Sequence, residues 1–258
     1  MIQHVLIDLA GVLYSGGQAL PGARDALARL QAAGCSCRFL TNTTRSTCAE
    51  VIAQLQKMGF AIPEEAVFSA PLATRARLLA DGLRPMLLVH PGLLPEFDGI
   101  PQDAPNAVVV GDAGEALNYA RLNSAFRLLM QGAPLLAMGR NRYFQDVDGL
   151  SLDQGPFVCA LEEAAGIEAE VLGKPAKAFF DSVLRDLQAR PDEAIMIGDD
   201  LVADIQGAQE AGIPAILVRT GKYRPADGED PHIRPAQIAD DFARAVDWLL
   251  AQRESADV

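Results

Sequence analysis

Seven apolar runs of four or five residues recur along the chain, with helical patterns between most of them. They are Val5–Asp8, Cys37–Thr41, Met86–Val89, Ala107–Val110, Leu135–Met138, Ala194–Ile197 and Ala215–Val218. Runs this short and this apolar predict strands buried on both faces, as in a parallel sheet. Between them, Ala23–Ala33 places Ala26, Leu27 and Leu30 on one helical face, and Gly34 follows as a stop. Cys48–Met58 carries Val51, Ile52, Leu55 and Met58 at the same spacing. Asn118–Met130, Gly155–Ala165 and Asp241–Ala251 are also predicted helices. Such alternation predicts an α/β fold whose parallel sheet has helices on both faces. Pro225–Pro235 reads as a surface loop, and the polar end Arg253–Val258 is expected to fray.

Composition narrows the function classes. With 258 residues, the chain has room for one or two domains. Half of the residues are hydrophobic and they are spread evenly, with no stretch long enough to span a membrane. The first strand follows Met1 almost at once, so no signal peptide is expected and the expected location is cytoplasmic. A net charge of −12 argues against a nucleic-acid or anionic-membrane partner. An anionic small substrate stays compatible, because a metal ion and one lysine reverse the local field. Cys35, Cys37, Cys48 and Cys159 have no zinc spacing and read as reduced structural thiols.

Four places carry candidate chemistry. Asp8 ends the first strand, on the edge where open α/β sheets bind ligands. It can serve as a nucleophile or a metal ligand, or simply cap a neighbour. Thr41 and Asn42 follow the second strand, where side chains and exposed N–H groups bind phosphate oxygens. The competing reading makes them the N-cap of a helix starting near Arg45. Lys174 is set between Gly173 and Pro175 after the run Ala169–Leu172; it is either a charge that neutralises a phosphoryl group or a loop lysine. Asp199, Asp200 and Asp204 follow the strand Ala194–Ile197 and suit a hard cation such as Mg²⁺. Alternatively, Asp200 caps a helix and Asp204 lies on its first turn.

Taken in this order, the four segments resemble the four motifs of haloacid dehalogenase-type phosphohydrolases, and the resemblance spans the chain. It implies that Asp8 is the nucleophile, Thr41 the phosphate-binding residue with Asn42 beside it, and Lys174 the lysine of the third motif. It also implies that Asp199 ligates Mg²⁺, with Asp204 as a supporting acid. Only 33 residues separate Asp8 from Thr41, whereas 133 separate Thr41 from Lys174. The longer gap fits an inserted α/β cap of about 90 residues. The resemblance is therefore to the branch with its cap between the second and third motifs, a Rossmann-like core over residues 1–80 and 171–258 and a cap over 81–170. Arg84–Val89, Arg142–Phe144, Asp148–Leu150 and Thr220–Arg224 are similar to one small group within that branch. Arg140, Asn141 and Arg142 are candidates to contact a leaving group, or else a solvated loop. The oligomeric state stays open, with the cap as the expected surface of any homodimer.

One position departs from the pattern. Most members of the family carry Asp two residues after the nucleophile, where it protonates the leaving group; here the residue is Ala10. Its carbonyl can still ligate Mg²⁺, but a methyl group transfers no proton. General acid catalysis is worth about 10²–10⁴ in rate, so good leaving groups such as those of pyrophosphate and phosphoramidates are expected. Two alternatives remain. One is a catalytically weak phosphate-binding or regulatory protein. The other is a phosphonate hydrolase, which would need a cap and a lysine between Asp8 and Thr41, a segment that contains no lysine.

Overall fold

The computed structural model describes residues 2–146 and 149–256. Asp148 of the stretch Asp148–Leu150, and Asp257 and Val258 of the tail, lie outside the described residues.

In chain order the strands are β1 His4–Asp8, β2 Tyr14–Ser15, β3 Gln18–Ala19, β4 Ser36–Thr41, β5 Val67–Ser69, β6 Pro85–Leu88, β7 Ala107–Val110, β8 Leu135–Ala137, β9 Tyr143–Asp146, β10 Gly149–Leu152, β11 Glu170–Val171, β12 Ala194–Gly198, β13 Ala215–Val218 and β14 Gln237–Ala239. The α-helices are α1 Ala23–Ala32, α2 Cys48–Lys57, α3 Ala70–Ala80, α4 Tyr119–Leu129, α5 Gly155–Ala165, α6 Lys177–Leu187, α7 Gly207–Glu210 and α8 Phe242–Ala256. All seven expected strands and all five expected helices are present, with ends shifted by a few residues at most, apart from α8. That helix runs on to Ala256 where fraying was expected. Ala251, Gln252, Arg253 and Glu254 are good helix formers and carry the helix on.

The chain packs as two compact units. The first comprises Met1–Thr41, Ile52–Phe68 and Lys174–Val258; the second comprises Asn42–Val51 and Ser69–Gly173. The sequence places the divisions at 80/81 and 170/171, whereas the units divide at 68/69 and 173/174, and also at 41/42 and 51/52 around Asn42–Val51. Helix α3 accounts for the first difference, because its Ala70 and Leu78 are buried with Leu87, Val109 and Leu136 of the second unit's sheet.

The first unit is built on a six-stranded sheet in the order β14-β13-β12-β1-β4-β5. Strand β1 runs parallel to both β12 and β4, and the β12–β13 and β13–β14 pairs are parallel as well. Asp8 stands in register with Leu40, so Thr41 ends β4 one residue further along the same edge. Val5, Leu6 and Ile7 have no exposed surface, which explains why this strand carries no alternation. Helix α1 lies against α8, and an ion pair of 2.7 Å joins Arg29 to Asp247.

The second unit holds a parallel sheet in the order β11-β8-β7-β6. Alternate residues serve opposite faces. Leu87, Val109 and Leu136 pack with α3, whereas Leu88, Val108, Val110 and Leu135 pack with Ala125 of α4 and Val158 of α5. Both faces are thereby covered by helices, as the α/β pattern predicts. Among the described residues no helix is long and apolar enough to cross a membrane.

Candidate active site

Parallel pairing brings Asp8, at the end of β1, and Asp199, just after β12, to one edge of the first unit's sheet. Lys174 is the first residue after the inserted unit and is buried, 2% exposed. Its ammonium donates to Asp8 Oδ1 and, over 2.6 Å, to Asp204 Oδ1. Lys174 lies in a turn, as the loop alternative has it, but it is buried and holds two carboxylate partners. Asp8, Asp199 and Asp204 are likewise buried, and each offers a carboxylate oxygen within 4.8 Å of the others.

Asp204 reaches this position through an unusual turn. After β12 the chain forms a π-helical segment, Leu201–Gln206, that leads into α7. Asp200 caps it, its Oδ1 accepting from the N–H groups of Val202 and Ala203 at 3.1 and 2.9 Å. Asp204 Oδ2 in turn accepts the Asp200 N–H at 3.1 Å. Both halves of the capping alternative are present: Asp200 caps the segment and Asp204 lies on its first turn. From that turn Asp204 also holds Lys174. π-Turns of this kind occur frequently at functional sites.

Electrostatics follow from burial and like charge. Burial, then the charges of Asp8 and Asp204, push the Asp199 carboxyl up to about 8. Burial pushes Asp204 up to about 6, against the pull of Lys174. Burial alone draws the Lys174 ammonium down, but Asp204 and Asp8 outweigh it and leave the pKa raised. Burial likewise opposes the charge on Asp200, yet Lys222 and the capping N–H of Ala203 hold its carboxyl low. Three inner carboxylates therefore face one inner ammonium. The donors are all oxygen and the uncompensated charge is negative, which fits a small hard divalent cation.

Thr41 is buried at the end of β4. The helix that Thr41 and Asn42 were alternatively expected to cap begins at Cys48, and Thr47 caps it. The Thr47 hydroxyl accepts from the Glu50 N–H at 3.2 Å, and Glu50 accepts the Thr47 N–H at 2.9 Å. Asn42 belongs to the second unit, where its amide lies against the backbone of Gly173 and Gly139. Ala10 is exposed, in a tight turn closed by the Gly11 N–H donating to the Tyr14 carbonyl at 2.7 Å. Tyr14 pairs with Ala10 across this turn, and burial, then the charge of Asp8, push its phenol up to about 12. In the second unit, Arg140 is ion-paired with Glu162, the Asn141 carbonyl accepts from Gly155, and the Arg142 carbonyl accepts from Asp153.

The sequence singled out Thr220–Arg224, in the loop after β13, only for its resemblance and gave it no place in the site. The Thr220 hydroxyl donates to the Gly11 carbonyl, the Lys222 N–H donates to Asp199 Oδ2 at 2.6 Å, and the Lys222 ammonium pairs with Asp200 at 3.1 Å. Two glycines make room for Asp199. A Cβ on Gly11 would stand 2.1 Å from Asp199 Oδ2, and one on Gly221 would stand 1.9 Å from it. Both glycines have positive φ, +91° and +58°. The available signal was a Thr-Gly-Lys run directly after an apolar strand at the same sheet edge.

Known proteins match this chain in sequence and in fold. Residues 5–100 match the haloacid dehalogenase-like hydrolase family, and residues 171–245 match a related HAD hydrolase-like family. Phospholysine phosphohistidine inorganic pyrophosphate phosphatase of Danio rerio is 45% identical, over 98% of this chain and 96% of the relative. Haloacid dehalogenase-like hydrolase domain-containing protein 2 of Rattus norvegicus is 46% identical, over 97% and 96%. Among solved structures, a glycerol phosphate phosphatase from Mycobacterium tuberculosis in complex with magnesium superposes with a TM-score of 0.81. It is 29% identical, over 94% of this chain and 77% of that one. The chain belongs to the haloacid dehalogenase-like hydrolases and is a phosphatase among them.

Proposed function

We propose that this enzyme is a Mg²⁺-dependent phosphohydrolase that acts through an aspartyl-phosphate on small compounds with good leaving groups. The observation that carries the reading is the buried Lys174 ammonium shared by Asp8 and Asp204, with Asp199 beside them. In this reading, Asp8, the Ala10 carbonyl and Asp199 would hold Mg²⁺, with Asp204 in support. When bound, the ion supplies positive charge against the phosphoryl oxygens. Thr41 and Asn42 orient those oxygens and Lys174 neutralises them. Asp8 attacks phosphorus in line, the bond to the leaving group breaks, and the electron pair departs with that group. Water then cleaves the aspartyl-phosphate, restoring the carboxylate and releasing phosphate.

Ala10 directs the choice of substrate. Without a carboxyl at this position, groups that leave without taking a proton from the enzyme are favoured. Pyrophosphate and phosphoramidates belong to that class, and the Danio rerio relative is named for such compounds. The inserted unit acts as the cap, and a homodimer through it and a cytoplasmic location belong to the same reading.

The test is phosphate release by the full chain from pyrophosphate, a phosphoramidate and 4-nitrophenyl phosphate, with Mg²⁺ and after EDTA. Turnover is expected only with Mg²⁺, and Asp8→Asn is expected to fold but not to turn over. Full activity in metal-free buffer, or an Asp8→Asn rate within about tenfold of the unmodified enzyme, overturns the proposal.

A further inference from the structure

The loop Thr220-Gly221-Lys222 touches both parts of the site that surround Ala10. Its Thr220 hydroxyl is bonded to the carbonyl of Gly11, the residue next to Ala10, and its Lys222 N–H to Asp199. The two lysines of the site differ in exposure. The Lys174 side chain is 3% exposed and committed to Asp8 and Asp204, whereas the Lys222 side chain is 53% exposed and paired with Asp200. Lys222 is therefore a site cation with a solvent side. A half-exposed ion pair is weak, so its ammonium, with three donors, adds or exchanges a partner at little cost. The field of Asp8 also acts on this ammonium, second only to that of Asp200 among its charged neighbours.

We propose that Lys222 determines leaving-group specificity, its ammonium receiving the negative charge of an anionic leaving group such as the departing phosphate of a diphosphate. The inference rests on the phosphohydrolase reading above. Asp8 bonds to one phosphorus, the bridging P–O bond breaks, and the electron pair stays on the bridging oxygen. Lys222 hydrogen-bonds the departing phosphate and keeps its own proton; the phosphate takes its proton from solvent. A cation free to meet the developing charge takes the place of the proton that Ala10 cannot give. Alkoxide leaving groups, which need a proton, gain little from it.

The test uses full-length Lys222→Gln and Lys222→Arg. Lys222→Gln is expected to lower kcat/KM for pyrophosphate about tenfold more than for an alkyl phosphate such as glycerol phosphate, with Lys222→Arg recovering most of the difference. By calorimetry in Mg²⁺, Lys222→Gln is expected to weaken imidodiphosphate binding about tenfold while inorganic phosphate and Mg²⁺ itself change by no more than about threefold. A parallel loss on both substrates together with weaker Mg²⁺ binding means that Lys222 only orients Asp199, and overturns the proposal. Unchanged pyrophosphate turnover or unchanged imidodiphosphate binding also overturns it. If the unmodified enzyme turns over neither substrate, the phosphohydrolase reading fails separately, and the imidodiphosphate comparison still decides whether Lys222 receives the second anionic group.

Discussion

Ala10 and Lys174 mark the two ends of what a single residue can do at this site. Lys174 is buried between two carboxylates, so its ammonium is fixed in place. Ala10 is exposed, and its methyl group leaves open the position from which most family members deliver a proton. Ala10→Asp is therefore expected to raise kcat/KM on alkyl phosphates by at least about tenfold, within the 10²–10⁴ range of general acid catalysis, and to change pyrophosphate less. Steady-state kinetics on both substrates checks this; a folded, Mg²⁺-binding variant with no selective gain would show that leaving-group preference does not come from position 10. Asp8, Lys174, Asp199 and Asp204 each had a bland reading alone, and only their order along the chain, each after an apolar run, singled them out together. Lys222 stood in the run Thr220–Arg224 but was given no role, because its place beside Asp199 depends on residue 221 meeting residue 11, a contact across the chain that no local pattern records.

At the scale of elements, strands buried on both faces announce themselves, and short or one-sided elements do not. Strands β5, β11 and β14 have two or three residues and include polar ones, too few to make a run. Helix α6 buries Phe179, Phe180, Val183 and Leu184 at helical spacing, but it directly follows Gly173-Lys174-Pro175 and was given no element in the sequence reading. Helix α3 carries its cap in plain view, Ser69 accepting the Leu72 N–H at 3.2 Å, yet no apolar face stands out among its alanines and arginines. The loop after β13 gives the testable case. A side chain at Gly221 must displace Asp199, whereas Gly34, at φ +75°, meets nothing within 4 Å. Both alanine substitutions incur a left-handed backbone cost of about 1–2 kcal/mol. Gly221→Ala is expected to weaken Mg²⁺ binding, lower kcat by at least about tenfold and melt below Gly34→Ala, which keeps its rate. Equal rates for the two variants would show that the close approach at Asp199 carries no functional weight.

Across the whole molecule, the buried acids couple stability to pH and to the metal. The Asp199 carboxyl is held up at about 8 and that of Asp204 at about 6, both from an ordinary 3.8. Between about pH 4 and these values, the folded chain keeps protons that the unfolded chain has released. Each group therefore contributes stability that is complete below its ordinary pKa and is lost as pH rises, by roughly 1.4 kcal/mol per unit and group. His4, held low chiefly by burial, contributes the opposite slope around its ordinary 6.5. The difference between the unmodified protein and Asp199→Asn isolates the carboxyl from His4 and from general repulsion at a net charge of −12. A divalent cation binds the ionised carboxylates, so it competes with the protons and stabilises most where they have been lost, by about 2.7 kcal/mol at a hundred times its Kd. Melting curves are expected to show the metal-free protein losing stability from pH 5 to pH 8 and Mg²⁺ recovering more at pH 8 than at pH 5, with both trends weaker in Asp199→Asn. A metal-free melting temperature that is level or rising over that range, or an Asp199→Asn protein with the same slope and the same response to Mg²⁺, would mean that Asp199 is not the acid that links cation binding to the fold.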